Sequence, residues 1–159
     1  RIHAVIKVEA IANDQAILIV THLDTWTPLS QHEADNNLGG LRLQGVDDNA
    51  SGLGVMLELA QALSQTPLHY GVRFVALSAG EAGLHGMDDY LARMSVQEKK
   101  DTLLVIDLNS LIVGDRLYFN NGMNTPAAVC LCWRRLQRSH LATLPNSSCA
   151  TLPPISPVA

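Results

Sequence analysis

Side chains that can bind a metal ion follow each of the three predicted central strands of this chain. They are His22 and Asp24 after the first strand, Glu81 after the second, and Asp107 and Asn109 at the end of the third. Ligands of open α/β sheets bind beyond the carboxyl ends of the strands, so these groups should meet at one edge. One imidazole, several carboxylates and an amide gathered there would suit a Zn²⁺ ion.

An acidic, turn-rich loop, GVDDNASG at residues 45–52, lies between the first two of these strands and precedes an apolar helix. Each candidate alone has a simpler interpretation. An isolated histidine after a strand can be a packed or surface residue, Asp47 and Asp48 can belong to a turn, and Glu81 can be a first-turn helix charge. Their joint placement at consecutive strand ends is what favours a metal site.

Alternating strands and helices must position these groups. Residues 2–8 alternate in polarity like a half-buried strand, and three largely apolar runs, the first of them rich in β-branched residues, are typical of strands covered on both faces. Ser51 stands at the N-cap position of the first helix, which Pro67 ends, and residues 83–94 predict another helix. The order predicts a three-layer αβα fold, in which a mainly parallel sheet lies between two layers of helices. The buried runs are 16–21, 72–77 and 102–108, with a short further strand at 116–119.

Composition excludes several classes of protein. The 159 residues are 47% hydrophobic and 16% charged, which is typical of a globular domain, and the net charge is −4. An acidic balance argues against nucleic acid as a partner, because phosphate-binding domains carry a basic excess. No apolar run approaches the roughly 18 residues of a membrane span. We recognise no signal peptide, and because the first residue is Arg1 rather than Met, we expect the N-terminus to be trimmed.

The end of the chain differs in composition from the rest. From residue 122 onward the only charged side chains are three arginines, and all three cysteines lie in this part, without metal-finger spacing. Residues 126–141 could form one helix. The Ser-, Thr- and Pro-rich stretch 139–159 predicts disorder. We expect one patterned domain over residues 1–128 and a divergent tail over 129–159.

The order of three motifs resembles a known enzyme family. HLD at 22–24 follows a buried strand, GVDDNASG precedes an apolar helix, and FVALS at 74–78 precedes an acidic turn and a glycine. This order resembles the co-catalytic two-zinc aminopeptidases, the family of the secreted bacterial leucyl aminopeptidases. The similarity covers about residues 1–128, and the DDNASG loop is its most specific part. The resemblance implies a zinc-peptidase-like fold, two zinc ions, peptide or protein N-termini as substrates, and a periplasmic or secreted location.

The resemblance also assigns roles to individual residues. His22 would bind the first zinc ion, and Asp24 would help to orient its ring. Asp48, which stands directly before Asn49 in the loop, would bridge both ions, and Glu81 would bind the second. Two such ions activate a shared water molecule and polarise the scissile carbonyl group.

Three departures from the family pattern predict impaired catalysis. The general base of the family is a glutamate at the position of Gly80, and glycine has no proton acceptor. An acidic zinc ligand of the family is replaced by Asn109, whose neutral amide is a weak ligand. A late histidine ligand has no counterpart, since nothing around His140 matches, and we expect the domain to be C-terminally truncated.

Three functions therefore compete. The first is a zinc-dependent aminopeptidase, in this chain truncated and catalytically impaired. The second is a non-catalytic, peptidase-like binding or interaction domain. The third is a single-zinc enzyme of another reaction type, for which only His22, Asp48 and Glu81 would serve as ligands.

Overall fold

The computed structural model describes residues 3–9, 14–26, 30–36 and 45–113. The predicted strand 116–119, the predicted helix 126–141 and the predicted disordered tail lie outside these residues. Within the described ranges, no helix has both the length and the apolar composition needed to cross a bilayer. The elements in chain order are β1 His3–Val8, β2 Ala16–His22, α1 Gln31–Asn36, α2 Gly52–Ser64, β3 Gly71–Leu77, α3 His85–Arg93, α4 Val96–Asp101 and β4 Thr102–Asp107.

The four strands form one mixed sheet in the order β1-β3-β2-β4. β2 is parallel to both β3 and β4, whereas β1 is antiparallel to β3. The register places His22 opposite Leu77, so that β2 and β3 end level with each other. The predicted mainly parallel α/β sheet is confirmed, and the carboxyl ends of its parallel strands share one edge.

Alternating side chains of the strands divide the core into two halves, as the pleat requires. Ile19 and Phe74 face one side of the sheet and pack with Met56 and Ala60 of α2. Leu18 and the remaining buried residues of the opposite face pack with Met87 and Tyr90 of α3. The sheet is thus covered on both faces, and burying a side chain as large as Phe74 contributes about 1.5–3 kcal/mol to stability.

Two helices lie where the sequence analysis placed no helix. α1 lies between β2 and the acidic motif. α4 begins at a capping box: the Ser95 hydroxyl accepts a hydrogen bond from the Glu98 N–H, and the Glu98 carboxylate accepts one from the Ser95 N–H. The same carboxylate pairs with Arg73 of β3 at 3.1 Å. α4 is therefore held by its cap and by the strand beneath it, rather than by an apolar stripe.

α3 begins two residues later than the predicted helix at 83–94. Its start is delayed because the turn after β3 contains left-handed backbone at Ala79, Gly83 and Leu84, with φ values of 59°, 89° and 61°. Helical φ is negative, so the regular helix begins only at His85. The turn places Glu81 close to the end of β3.

A wide, π-type turn over Val46–Ser51 leads into α2 and joins the ends of β2 and β4. The buried amide of Asn49 donates hydrogen bonds to Thr21 Oγ1 at 2.7 Å and to the Leu108 carbonyl at 3.1 Å, and it accepts one from the Ser110 N–H at 3.2 Å. Each contact spans at least 28 residues of sequence. A buried amide satisfied in this way fixes the two strand ends relative to each other.

Ser51 does not cap α2 through its side chain, although it occupies the predicted N-cap position. Its hydroxyl donates to the Asp47 carbonyl at 2.6 Å and accepts from the Leu111 N–H at 2.9 Å. The residue itself has helical backbone angles, with φ −62° and ψ −47°. The hydroxyl thus belongs to the link between the turn and the segment after β4.

Gly52 allows the closest approach in this network. A Cβ atom at this position would lie 2.4 Å from the Leu108 carbonyl oxygen, 2.5 Å from Asn49 Oδ1 and 2.7 Å from Thr21 Oγ1. All three atoms take part in the hydrogen bonds that join β2 to β4. A side chain at residue 52 would therefore separate the two strand ends.

We expect Gly52→Ala to lower the free energy of unfolding by about 1–3 kcal/mol, because the added methyl group overpacks the network. Gly54→Ala is the matched control, since a Cβ there would meet nothing within 4 Å. It should raise stability by about 0.5–1 kcal/mol, as alanine is the better helix former. Urea unfolding of both variants measures the difference. Equal stability of the two would contradict the role given to Gly52.

Candidate metal centre

His22, Asp48 and Glu81 converge where β2 and β3 end. His22 Nε2 lies 3.1 Å from Asp48 Oδ1 and 3.9 Å from Glu81 Oε1. One ligand atom from each of the three residues lies within 4.8 Å of the other two. The residues come from the end of β2, the turn before α2 and the turn after β3, so the level ends of parallel strands bring them together.

The imidazole of His22 is buried, with 8% of the residue exposed. Its Nδ1 lies 2.8 Å from the backbone carbonyl oxygen of Asp24. A carbonyl oxygen can only accept, so Nδ1 carries the proton in this contact. In the neutral ring Nε2 then presents its lone pair to the carboxylates of Asp48 and Glu81, an arrangement that favours a positive charge between them.

A positive charge beside Asp48 and Glu81 would offset the repulsion between these two carboxylates. Asp48 Oδ1 is buried and has no hydrogen-bond partner in the described part of the chain. Burial raises the pKa of the Glu81 carboxyl, and the negative charge of Asp48 raises it further. One imidazole nitrogen and two carboxylate oxygens are a donor set that fits a divalent ion such as zinc. The residues present therefore fit a metal ion.

Backbone contacts hold Asp48 in place. The hydroxyl of Thr25 donates to the Asp48 carbonyl at 2.6 Å. Neighbouring Asp47 is turned elsewhere: its Oδ1 accepts hydrogen bonds from the N–H groups of Ile112 and Val113 at 2.8 and 3.0 Å. Of the two adjacent acids, Asp48 is the one near His22, as the family pattern implies.

The Asp24 carboxylate binds the backbone of the turn after β3. Its Oδ1 accepts from the Gly80 N–H at 2.8 Å and its Oδ2 from the Glu81 N–H at 3.0 Å. Burial alone would raise the pKa of Asp24, but these donors outweigh it and the pKa lies below its usual value. The expected contact with His22 is made by the Asp24 backbone, since Oδ1 lies 3.6 Å from Nδ1.

Gly80, to which the resemblance assigns the position of the general base, lies against the ring of His22. A Cβ atom at residue 80 would be 2.5 Å from His22 Cβ and 2.6 Å from its Cγ. Real Cβ atoms do not approach other atoms so closely. The imidazole thus occupies the volume that a side chain at position 80 would need.

The third predicted group of ligands lies at the end of β4 and just after it. Asn109 is exposed, and its Oδ1 accepts a hydrogen bond from the Ser110 hydroxyl at 2.8 Å. Asp107 pairs with Val20 in the sheet register and so shares a face with His22. Partial burial raises the pKa of Asp107, and the charge of nearby His22 opposes this. Among the described residues, the group that could hold a metal ion comprises His22, Asp48 and Glu81.

The sequence analysis did not identify Thr21, Thr25 or Ser51 as residues that shape the site. Their hydroxyl groups hold the strand ends and the acidic turn through hydrogen bonds to distant parts of the backbone. Serine and threonine are common at turns for local reasons, so their types alone carried no signal. The position of Ser51 within the DDNASG motif is the one sequence feature that pointed to it.

Comparisons with known proteins identify relatives of this chain. The model of peptidase family M28 matches residues 2–146. The chain is 58% identical over 133 residues to the alkaline phosphatase isozyme conversion protein of Escherichia coli, covering 84% of this chain and 37% of that protein. It is 43% identical over 56 residues to aminopeptidase YwaD of Bacillus subtilis, covering 35% of this chain and 12% of that protein. The chain thus spans well under half the length of these relatives.

Solved structures support the fold. A zinc aminopeptidase from Bacillus subtilis matches with a TM-score of 0.69 and 24% identity, over 86% of this chain and 32% of that one. An aminopeptidase from Aneurinibacillus sp. strain AM-1 matches with a TM-score of 0.55 and 27% identity, over 69% of this chain and 24% of that one. The resemblance drawn from the three motifs is confirmed, and the chain belongs to peptidase family M28.

Proposed function

We propose that this chain is the metal-binding portion of a zinc-dependent aminopeptidase, with His22, Asp48 and Glu81 as zinc ligands. The observation that carries the proposal is the buried Nε2 of His22, which faces two carboxylates, one of them with a buried oxygen that lacks a hydrogen bond. Membership of the M28 family supports metallopeptidase chemistry. Peptide or protein N-termini are the proposed substrates, and the proposed location is periplasmic or secreted.

The chain's own residues would prepare the site in defined ways. A bound zinc ion would supply a polarised water molecule and a Lewis acid for the scissile carbonyl group. The Asp24 carbonyl keeps the proton of His22 on Nδ1 and leaves Nε2 free for the metal. The Asp24 carboxylate fixes the backbone from which Glu81 extends.

Catalysis by this chain would be slow, because the base position is Gly80. Loss of a positioned general base removes a factor of about 10²–10⁴ in rate. The amide of Asn109 would add to the defect, since it replaces an acidic ligand implied by the resemblance. A chain that binds zinc without any turnover would instead be a non-catalytic binding or interaction domain.

The activity test compares the zinc-loaded chain with the Bacillus subtilis zinc aminopeptidase on the same leucine anilide substrate. We expect this chain to release the N-terminal residue at least about 100-fold more slowly. Any release should be lost in His22→Ala and retained in Glu58→Gln, a control on the exposed face of α2. A rate equal to that of the Bacillus enzyme, abolished by His22→Ala, would show that catalysis is not impaired.

Glu81→Gln should change stability in opposite directions with and without zinc. Because the pKa of Glu81 is raised in the folded protein, its charge costs stability as the pH rises above the ordinary value of 4.5. The neutral variant should therefore have a higher Tm than the unsubstituted chain at pH 7 in the metal chelator EDTA. In excess zinc its Tm should be the lower one, since a ligand is lost.

Differential scanning fluorimetry measures both Tm differences, with Glu58→Gln as the matched control for the chemical change. If Glu81→Gln shifted the Tm by the same amount in EDTA and in zinc, Glu81 would not be a ligand.

Asp24→Asn should weaken zinc binding by about 10- to 100-fold, the usual effect of removing a group that orients a ligand. The asparagine can accept from only one of the two amide donors, so the turn that carries Glu81 loosens. The backbone carbonyl that holds His22 stays in place. Titration with zinc against a competing chelator gives the affinity.

The control for this variant is Glu98→Gln, which weakens another carboxylate that accepts a backbone N–H, at the cap of α4. Its zinc affinity should equal that of the unsubstituted chain. Equal affinities of Asp24→Asn and the unsubstituted chain would rule out the positioning role.

A further inference from the structure

We infer that Asp47 is a positioning residue of the proposed metal site, which fixes the backbone of Asp48 by binding the segment after β4. The inference rests on the proposed function, in which Asp48 is a zinc ligand, and adds a residue that acts through it. It follows from the hydrogen bonds of residues 110–113, from the anchors on either side of Asp48, and from the free oxygen of the Asp48 carboxylate.

Four consecutive backbone N–H groups after β4 donate to side chains of the acidic motif. In chain order, the N–H groups of residues 110–113 donate to Asn49 Oδ1, to Ser51 Oγ and twice to Asp47 Oδ1, at 3.2, 2.9, 2.8 and 3.0 Å. Each of these hydrogen bonds spans at least 60 residues of sequence. Bonds to a carboxylate are roughly twice as strong as neutral ones, so Asp47 makes the strongest part of this link.

Asp48 stands between two anchored residues. On one side, Asp47 is held by its side chain and also by its carbonyl oxygen, which accepts from the Ser51 hydroxyl at 2.6 Å. On the other side, the buried amide of Asn49 is bonded to both strand ends. The Asp48 carbonyl oxygen itself accepts from the Thr25 hydroxyl at 2.6 Å. The backbone that carries the Asp48 carboxylate is therefore fixed before, at and after this residue.

The side chain of Asp48 is used differently from those of its neighbours. Its Oδ1 is buried, has no hydrogen-bond partner in the described part of the chain, and lies 3.1 Å from His22 Nε2. The flanking side chains hold the backbone, and this oxygen is left for a metal ion. Asp47 thus contributes to metal binding without touching the ion, because it sets where the Asp48 carboxylate begins.

The charge of Asp47 could favour a nearby cation without any positioning role, and two substitutions separate these effects. A single oxygen, Asp47 Oδ1, accepts both hydrogen bonds. The carbonyl oxygen of an asparagine has two lone pairs and can accept both as well, so Asp47→Asn keeps the link and loses the charge. Asp47→Glu keeps the charge, but its extra methylene group displaces the carboxylate from the two N–H groups.

The experiment titrates the full chain and its variants with zinc against a competing chelator. Asp47→Asn should bind zinc within about 3-fold of the unsubstituted chain, since only the strength of the two hydrogen bonds changes. Asp47→Glu and Asp47→Ala should bind about 10-fold more weakly, the smaller effect expected of a group that orients a ligand indirectly. Asp101→Ala is the matched control for a lost carboxylate, because Asp101 accepts from the Gln97 side chain at the far end of β4. It should bind zinc like the unsubstituted chain.

Hydrogen exchange gives a second readout that needs no metal. In EDTA, the amides of Ile112 and Val113 should exchange faster in Asp47→Ala and Asp47→Glu than in Asp47→Asn, because only asparagine still accepts from them. Circular dichroism establishes that each variant is folded. If Asp47→Ala fails to fold, the comparison of asparagine with glutamate still decides, since positioning and charge predict opposite orders of zinc affinity.

The outcomes separate this inference from the proposed function. Equal zinc affinities of Asp47→Ala and the unsubstituted chain would overturn the positioning role and leave the zinc site intact. An affinity of Asp47→Asn as low as that of Asp47→Ala would assign the effect to charge and overturn the positioning role as well. An unsubstituted chain that binds no zinc would overturn both.

Discussion

The buried amide of Asn49 is the interaction on which the rest of the site depends. It joins the end of β2, through Thr21, to the segment after β4, through Leu108 and Ser110. Parallel strands have no tight turn between their neighbouring ends, so side chains must hold those ends together. Because Asn49 is anchored there, the preceding residue, Asp48, is brought beside the imidazole at the end of β2.

The residues of the acidic motif have different structural roles. Asn49, Ser51 and Gly52 make or permit the links between strand ends, Asp47 holds the backbone after β4, and Asp48 alone among them faces His22. The resulting pocket concentrates negative charge around a histidine nitrogen. A bound cation would offset the repulsion between these charges, and the proposed metal binding would then be coupled to the stability of the fold.

The sequence predicted the sheet because its β-branched runs and their helical connections are local patterns, visible in any short window. It also predicted His22, Asp48 and Glu81 as ligands, since strand ends and a specific motif marked them, and the structure brings these three side chains together. It could not reveal that the Asp24 carboxylate accepts a hydrogen bond from the Gly80 N–H, because this contact spans 56 residues of sequence. Nor could it show that the Ser51 hydroxyl accepts a hydrogen bond from the Leu111 N–H instead of capping α2, because local capping rules describe only nearby donors.

The packing of His22 against Gly80 also constrains how this sequence can change. A glutamate introduced at position 80 would bring its Cβ into the imidazole before its carboxylate could act as a base. Residues in direct contact show non-additive effects, so the consequence of a substitution at 80 depends on the position of residue 22. A side chain at position 80 is therefore not reached by a single tolerated substitution: a change that moves the His22 ring must come first, or together with it.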